Sequence, residues 1–279
     1  MKRETRALMA KETVAICEAG FYIAPNGTRV DIGADLDRAR KGTVLCSPER
    51  LPNATRVGQN ARTRLEARNE TAFAALARLA SSSSSQVACL NFASAKNPGG
   101  GFLNGSLAQE EALACASGLY PCLLTAPDYY ARNRASRSAL YLDLAIFSPK
   151  VPFFRNDAGV LLEKALLASV ITAPAPNAGA VARNEPGNSN LVEPTLRCRA
   201  EFVLAIAQAN GVEQLVLGAW GCGVFRNDPR TVAAIFAGLM KPPGRFAGAF
   251  GEVVFAVFDR SDDLATFRAF AERFNGGAS

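Results

Sequence analysis

Two adjacent glutamates, Glu110 and Glu111, follow a run of three glycines at a distance set by a seven-residue spacer and Gln109. The chain contains no histidine, which excludes Ser-His-Asp triads, Cys-His pairs and HExxH zinc sites. Carboxyl groups are therefore the acids and bases that this sequence offers for proton transfer. Adjacent helical positions point about 100° apart, so the two glutamates cannot flank one bond as an ordinary glycosidase pair does. In a glycosidase, one would handle the proton and the other would position the substrate.

A simpler interpretation is a well-capped helix. Ser106 and Gln109 have the spacing of a capping box, which predicts that the helix begins at Leu107. Carboxylates in the first turns of a helix gain about 0.3 to 1 kcal/mol from the helix dipole, which accounts for them without catalysis. The residues alone leave the catalytic and the helix-stabilising interpretations open.

The glycines lie where an α/β sheet binds ligands. Gly99, Gly100 and Gly101 follow the apolar run VACLNFA (87–93) and precede the helix predicted over 106–118. Glycine permits positive φ and lets the backbone approach a ligand without a Cβ in the way. This segment is therefore predicted to be a ligand-binding loop between a strand and a helix.

A second glycine-rich loop, GAWGCGVFRND, follows the apolar run QLVL. It contains Gly218, Gly221 and Gly223, and it precedes a predicted helix with Asp228 as its cap and Pro229 at its first position. Two such loops at one edge of a sheet would surround a diphosphate with backbone amides. Neither loop contains the GK[ST] of a P-loop or a correctly placed GxGxxG, which disfavours ordinary ATPase and Rossmann functions.

The apolar runs predict an α/β protein. From the serine run onward, strand-like and helix-like segments alternate, and the strands read as buried on both faces, as in a three-layer α/β/α sandwich. Before them, a helix over 4–18 and an Asn26-Gly27 hairpin indicate an α+β extension. We expect residues 1–60 to form this extension, packed on a core of residues 61–279, and residues 173–195 to form a long loop.

The composition restricts the class of protein. No apolar run approaches the roughly 20 residues that cross a bilayer, and the charged first segment lacks the apolar core of a signal peptide. The seven cysteines show no CxxC spacing, so we expect reduced thiols, no metal site and a soluble, cytoplasmic protein. A net charge of +6 with dispersed arginines favours an anionic partner but no specific nucleic-acid surface.

The two loops together resemble a known family. NFASAKNPGGGFLNGSLAQEE and VLGAWGCGVFRNDP are similar to bacterial-type poly(ADP-ribose) glycohydrolases, whose signature is three glycines, a spacer of six to eight residues and Gln-Glu-Glu. The blocks FSPKVPFFRND, RCRAEFVLAIAQANG and EVVFAVFD extend the resemblance over most of the chain. It implies a macrodomain with a mixed central sheet that hydrolyses the ribose–ribose O-glycosidic bond of poly(ADP-ribose), mainly from chain ends, without a metal or cofactor.

The resemblance also implies roles for individual residues. Glu111 would be the catalytic acid and then the base, Glu110 would hydrogen-bond ribose hydroxyls around the scissile bond, and Gln109 would support the loop geometry. Asn97 would bind the distal ribose, although an Asn before Pro98 also favours a turn.

The second loop would hold the diphosphate through its backbone amides. Phe225 would press against the terminal ribose and Phe258 would stack on adenine, with burial in the core as the alternative for each. The remaining residues expected to bind the ligand are Gly99, Gly100, Gly101, Gly218, Gly221, Cys222, Gly223 and Val224.

Several partners and alternatives follow. The expected substrate and product are poly(ADP-ribose) and ADP-ribose, with ADP-ribosylated proteins as carriers, and we expect a monomer without membrane or nucleic-acid partners. We find no match to the tyrosine-bearing clasp or the long regulatory region of the animal enzymes, which favours trimming from chain ends. The alternatives left open are a non-catalytic ADP-ribose-binding macrodomain, a hydrolase of mono-ADP-ribosyl protein or acylated ADP-ribose, and a nucleic-acid binder.

Overall fold

A seven-stranded mixed sheet forms the middle layer of the protein. The computed structural model describes residues 2–50, 62–82 and 85–276. The strands are β1 (Phe21–Ile23), β2 (Arg29–Asp31), β3 (Val44–Cys46), β4 (Arg64–Arg68), β5 (Val87–Phe92), β6 (Ala145–Arg155), β7 (Leu161–Ala173), β8 (Gln214–Leu217) and β9 (Glu252–Ala256). The helices are α1 (Arg3–Ala19), α2 (Gly33–Gly42), α3 (Ala72–Ser82), α4 (Gln109–Ala116), α5 (Leu119–Leu123), α6 (Pro127–Ser136), α7 (Ala178–Asn184), α8 (Val192–Ala209), α9 (Pro229–Met240) and α10 (Ala265–Phe274). Short 3-10 helices span Pro48–Arg50, Phe102–Asn104 and Pro186–Leu191.

The strand order of the sheet is β3-β6-β7-β5-β8-β9-β4. Strands β7, β5, β8, β9 and β4 are mutually parallel, while β6 runs antiparallel to both β7 and β3. The carboxyl ends of β5 and β8, which are neighbours, therefore lie side by side at one edge, and the segments that follow them share that edge.

Helices cover both faces of this sheet. Ala88 and Leu90 of β5 pack into a cluster with α8, α9 and α10, whereas Val87 and Cys89 face the opposite cluster, which includes α3, α4, α5 and α6. Strands with apolar residues at every position suit this arrangement, because both of their faces are buried. The predicted three-layer α/β/α fold is confirmed.

The N-terminal segment packs on this core. Helix α1 and the β1–β2 hairpin are confirmed, and Asn26 closes the turn by accepting the amide N–H of Thr28 at 2.9 Å. Strand β3 pairs with β6 at the edge of the central sheet, so the segment also contributes a strand to the core. The predicted boundary at residue 60 lies outside the described residues, and the division into two parts stays a prediction.

The long loop predicted over residues 173–195 is wrong. Strand β7 ends at Ala173, and α7 begins soon after it because the side chain of Asn177 accepts the amide N–H of Ala180 at 2.9 Å. A 3-10 helix and α8 follow. Strand β7 itself had no predicted counterpart, because its first half, LLEKALL, has the composition of a helix. Across the described ranges, no helix combines the length and apolarity required to cross a membrane.

Candidate active site

The first glycine-rich loop, residues 97–106, lies between β5 and α4. Gly99 and Gly100 have φ of +66° and +59°, a conformation that side-chain-bearing residues rarely adopt. A methyl group on Gly100 would lie 2.4 Å from Oε1 of Glu111 and 3.0 Å from Oε2 of Glu110. Glycine at this position is therefore required both by the backbone conformation and by the closeness of the two carboxyl groups.

Helix α1 supports this loop from outside. The Arg3 guanidinium donates to the carbonyl of Asn104 at 2.9 Å, and that of Arg6 donates to the carbonyl of Gly105 at 2.8 Å. The helix approaches so closely that a methyl group on Gly105 would lie 2.2 Å from the carbonyl oxygen of Arg3. The N-terminal segment thus helps to fix the loop that precedes the glutamates.

The predicted capping box is wrong. Helix α4 begins at Gln109 instead of Leu107, and its cap residue, Ala108, has no side-chain hydrogen bond. The side chain of Gln109 instead accepts the N–H of Phe92 at 2.9 Å and donates to the carbonyl of Leu90 at 2.8 Å. Gln109 therefore continues the hydrogen-bonding pattern of β5 and attaches the start of α4 to the sheet.

Glu110 points into the protein. It is 3% exposed, and its Oε2 accepts the amide N–H of Ser94 at 2.7 Å while its Oε1 lies 3.3 Å from Nδ2 of Asn91. The pKa of the Glu110 carboxyl is raised to about 8: burial raises it most, the charge of Glu111 also raises it, and the hydrogen bonds from Ser94 and Asn91 lower it in part. Glu110 is therefore mostly protonated at neutral pH.

Glu111 is half-buried and takes a different direction. Its Oε1 accepts the amide N–H of Gly101 at 3.0 Å, so the loop backbone fixes this carboxyl group at the loop surface. The helical spacing separates the two glutamates as expected, with one inside and one beside the glycines.

The second glycine-rich loop, residues 218–228, follows β8. Gly221 has φ of +73°, and Asn227 closes the loop by donating through its N–H and its side chain to the carbonyl of Gly221 at 3.0 and 3.2 Å. Among the described residues, nothing accepts the amide N–H groups of Gly221, Gly223, Val224 and Phe225. Several free N–H groups in one turn favour an anion.

Both loops meet at the same edge. A methyl group on Gly218 would lie 2.4 Å from the carbonyl of Ala256 and 3.0 Å from the ring of Phe92, at the end of β5. Asp228 caps α9 as predicted and accepts the N–H of Arg230 at 3.0 Å. The two predicted ligand loops therefore lie at the same edge of the sheet, where β5, β8 and β9 end.

Aromatic and neighbouring side chains complete this surface. Val224 is 86% exposed and Phe258 is 53% exposed, so the core alternative for Phe258 is wrong; Arg260 lies 4.5 Å from its ring. Phe225 is partly buried, and Asn97 is exposed at the start of the first loop. Burial raises the pKa of the Cys222 thiol to about 12, which keeps it protonated.

Residues around Phe225 were missed at the level of sequence. The ring of Tyr141 lies 6.0 Å from that of Phe225, and Tyr141 has φ of +59°. The fully buried guanidinium of Arg199 holds this turn. It donates to the carbonyl of Leu140 at 3.1 Å and to the carbonyl of Pro174 at 2.8 Å. It also forms an ion pair with Asp143 at 2.9 Å. The sequence did contain a signal of this buried hydrogen-bonding group, because Arg199 falls on the apolar side of a predicted helix.

Asn91 and Ser94, the partners of Glu110, were also missed. Asn91 lies within the apolar run of β5, and its polarity there was a signal of a buried hydrogen bond. Its Oδ1 has no hydrogen-bond partner within the described ranges.

Two other features bear on possible ligands. A groove of about 370 Å³ lies at the opposite end of β5, and its lining, which includes Lys150 and Ser169, offers no carboxyl group for proton transfer. In the described part of the chain, no group of three or more Cys, Asp or Glu side chains is arranged to hold a metal ion.

The mixed sheet between two layers of helices has the macrodomain fold. Two glycine-rich loops lie at one edge of it, and one of them is next to a buried and a half-buried carboxyl group, as a hydrolase requires. Residues 10–156 match the family model described as microbial-type PARG, catalytic domain, and the chain belongs to this family. The predicted resemblance is confirmed.

Solved structures agree with this assignment. The poly(ADP-ribose) glycohydrolase from Thermomonospora curvata is 47% identical, with a TM-score of 0.91 over 97% of this chain and 100% of that chain. The same enzyme bound to the inhibitor ADP-HPD is 48% identical, with the same TM-score and the same shares of the two chains. The glycohydrolase from Deinococcus radiodurans in complex with ADP-ribose is 50% identical, with a TM-score of 0.81 over 86% of this chain and 97% of that chain. A comparison with curated proteins finds no match.

Proposed function

We propose that this chain is a poly(ADP-ribose) glycohydrolase that cleaves the ribose–ribose O-glycosidic bond, mainly from chain ends, and releases ADP-ribose. The observation that carries the proposal is the placement of Glu111, whose carboxyl group is held by the Gly101 amide beside a buried, protonated Glu110. Family membership and the relatives that bind ADP-ribose or its analogue support the same activity.

Glu111 serves as acid and then as base. In its protonated form it donates a proton to the ribose oxygen that departs, while the bond between that oxygen and the anomeric carbon breaks. The resulting oxocarbenium-like sugar is stabilised by the ligand's own diphosphate. The ionised Glu111 then takes a proton from a water molecule, which adds to the anomeric carbon and restores the carboxylic acid. One carboxyl group thereby completes both halves of the reaction.

Glu110 and the second loop position the substrate. A protonated carboxyl group donates one hydrogen bond and accepts others, which suits the hydroxyls of a ribose. The free amides between Gly221 and Phe225 bind the diphosphate, and the Phe225 ring orients the terminal ribose. Phe258, exposed beyond β9, stacks on the adenine. Asn97, at the start of the first loop, bonds the distal ribose.

The proposed function also extends to the carriers of the polymer, the oligomeric state and the compartment. We infer that ADP-ribosylated proteins carry the polymer, that the enzyme acts as a monomer, and that it works in the cytoplasm. All seven cysteines are free thiols, which supports a reducing compartment.

The substitution Glu111→Gln tests the role of the acid. It should lower the rate of polymer hydrolysis by about 10³-fold or more, because general acid–base catalysis is lost, while the affinity for ADP-ribose stays near that of the wild type. The measurement is chromatography of free ADP-ribose released from labelled polymer, with isothermal titration for binding. Glu193→Gln, on the exposed start of α8, is the matched control and should keep full activity.

Other outcomes would select other functions. Near-normal turnover of Glu111→Gln would refute the assignment of the acid. A wild-type protein that binds ADP-ribose but leaves the polymer intact would be a non-catalytic macrodomain. Release of ADP-ribose from a mono-modified protein, but not from the polymer, would identify a hydrolase of the other substrate class.

A further inference from the structure

A second, positively charged groove adjoins the predicted diphosphate loop. Its volume is about 460 Å³, and it lies between α7, the start of α8 and the second glycine-rich loop. The charged and polar side chains of its lining are Arg183, Arg226 and Ser189, and the small residues Ala178 and Gly179 form much of its wall.

Both arginines are available for an anion. Arg183 and Arg226 are exposed, and within the described ranges neither guanidinium has a hydrogen bond or an ion pair. Other exposed arginines do pair with acids, as Arg197 does with Glu193 and Arg245 with Glu201. Two free guanidinium groups on one concave surface favour a phosphate, which each can bind through two hydrogen bonds.

The backbone and packing fix one of these arginines. Arg226 has φ of +59°, the left-handed conformation that residues with a side chain seldom adopt. Its aliphatic stem lies against α7, so closely that a methyl group on Gly179 would be 2.9 Å from Cδ of Arg226. A glycine on the helix therefore makes room for the arginine, which limits the positions of its guanidinium.

Phe225 connects the groove to the predicted binding site of the terminal ribose. Phe225, which directly precedes Arg226, accepts the N–H of Gly179 through its carbonyl at 3.0 Å, while its ring packs beside Tyr141. A chain that leaves the terminal ribose near Phe225 would therefore reach the groove next.

We propose that this groove binds the diphosphate of the ADP-ribose unit that adjoins the unit in the cleft. The inference rests on the proposed function: an enzyme that trims chain ends has a single neighbouring unit, on the departing side of the scissile bond. Arg183 and Arg226 neutralise its diphosphate, and the hydroxyl of Ser189 donates a further hydrogen bond. The groove thus raises the affinity for polymer but leaves the affinity of the cleft for free ADP-ribose unchanged.

Equilibrium binding tests the proposal independently of turnover. In the Glu111→Gln background, which leaves polymer uncut, the Kd for a purified short oligomer of poly(ADP-ribose) is compared with the Kd for ADP-ribose. Arg183→Gln, alone and combined with Arg226→Gln, should raise the oligomer Kd about tenfold or more while the ADP-ribose Kd stays within about twofold. The oligomer Kd should also become less dependent on salt. Arg268→Gln, an exposed arginine on α10, removes the same charge elsewhere and should change neither Kd.

Each result decides the matter. An unchanged oligomer Kd in both arginine variants would overturn the inference and leave the proposed function intact. An equal weakening of both ligands would also overturn it, because the arginines would then belong to the cleft. Failure of the wild type to hydrolyse polymer would contradict the proposed function, and the binding comparison would still decide whether the groove holds the adjoining unit. Arg183→Gln leaves the second loop itself unaltered, so its result stands if Arg226→Gln disturbs that loop.

Discussion

Replacing Glu110 by glutamine should stabilise the protein increasingly as the pH rises. Burial raises the folded-state pKa of this carboxyl group from 4.5 to about 8. A raised folded-state pKa means that the native protein binds the proton more tightly than the unfolded chain does. The stability that Glu110 contributes is therefore complete below pH 4.5, declines as the unfolded chain ionises, and reaches its minimum once the pH exceeds about 8. Glutamine has no such proton, so its contribution is constant.

The size of the effect follows from the same shift. The wild type loses about 1.4 kcal/mol per pH unit between the two pKa values, which amounts to roughly 3 kcal/mol at pH 7 and at most about 5 kcal/mol above pH 8. The glutamine fits the site. Its carbonyl can accept the Ser94 N–H. If the Asn91 side-chain amide is turned over, the glutamine amide can donate to Oδ1 of Asn91, an oxygen that has no donor within the described residues.

Urea unfolding at pH 5, 7 and 8.5, followed by circular dichroism, measures this difference. Glu110→Gln should gain less than about 1 kcal/mol over the wild type at pH 5, and the difference should grow steadily above that pH. Glu163→Gln, an exposed glutamate on β7, is the control and should track the wild type at every pH. A gap that is the same at all three pH values, or a variant that loses stability relative to wild type as pH rises, would refute the burial argument.

Two further substitutions test the geometry of the site. Gly100→Ala places a methyl group 2.4 Å from the Glu111 carboxyl in a left-handed backbone, so polymer turnover should fall about 100-fold. Gly187→Ala, which adds a methyl group in open space, should keep the wild-type turnover. A fully active Gly100→Ala enzyme would show that the carboxyl groups are not held this close to the loop. Arg199→Met leaves buried carbonyls and a carboxylate without their donor, so the unfolding free energy should drop by about 3 to 5 kcal/mol in thermal or urea denaturation. Arg197→Met, two residues earlier on the exposed face, should cost less than about 0.5 kcal/mol, and equal losses would contradict the role of Arg199.

Local signals in the sequence predicted the parts of the site that depend on short segments. The apolar runs of β5, β8 and β9 are confirmed as buried strands, and the Asp228 cap fixes the start of α9. These features depend on residues within one element and its immediate flanks. The glycines of both loops were recognised for the same reason, since their spacing is local.

Features that depend on distant contacts could not be predicted. The capping box failed because Gln109 hydrogen-bonds the main chain of β5, some 17 residues away, in preference to its own helix end. The turn at Tyr141 takes its form from Arg199, which lies 58 residues further along the chain. In both cases the side chain satisfies main-chain groups that only the folded chain brings near, so the sequence can mark the side chain as unusual but does not identify its partners.

Under the proposed function, the different burial of the adjacent glutamates would also limit their repulsion of a substrate that carries a diphosphate. Two ionised carboxylates beside a diphosphate would repel it and each other, and the repulsion would be strongest inside, where the effective dielectric constant is low. Burial keeps Glu110 mostly protonated at neutral pH, so under the proposed function it would offer the ribose a neutral hydrogen-bonding group. Glu111, which accepts the loop amide of Gly101, is the carboxyl group of the pair that lies at the loop surface. The Ser94 amide holds Glu110 in place, and burial outweighs the lowering effect of that hydrogen bond on its pKa; the proposed function then gives the inner glutamate a positioning role and the outer one the proton chemistry.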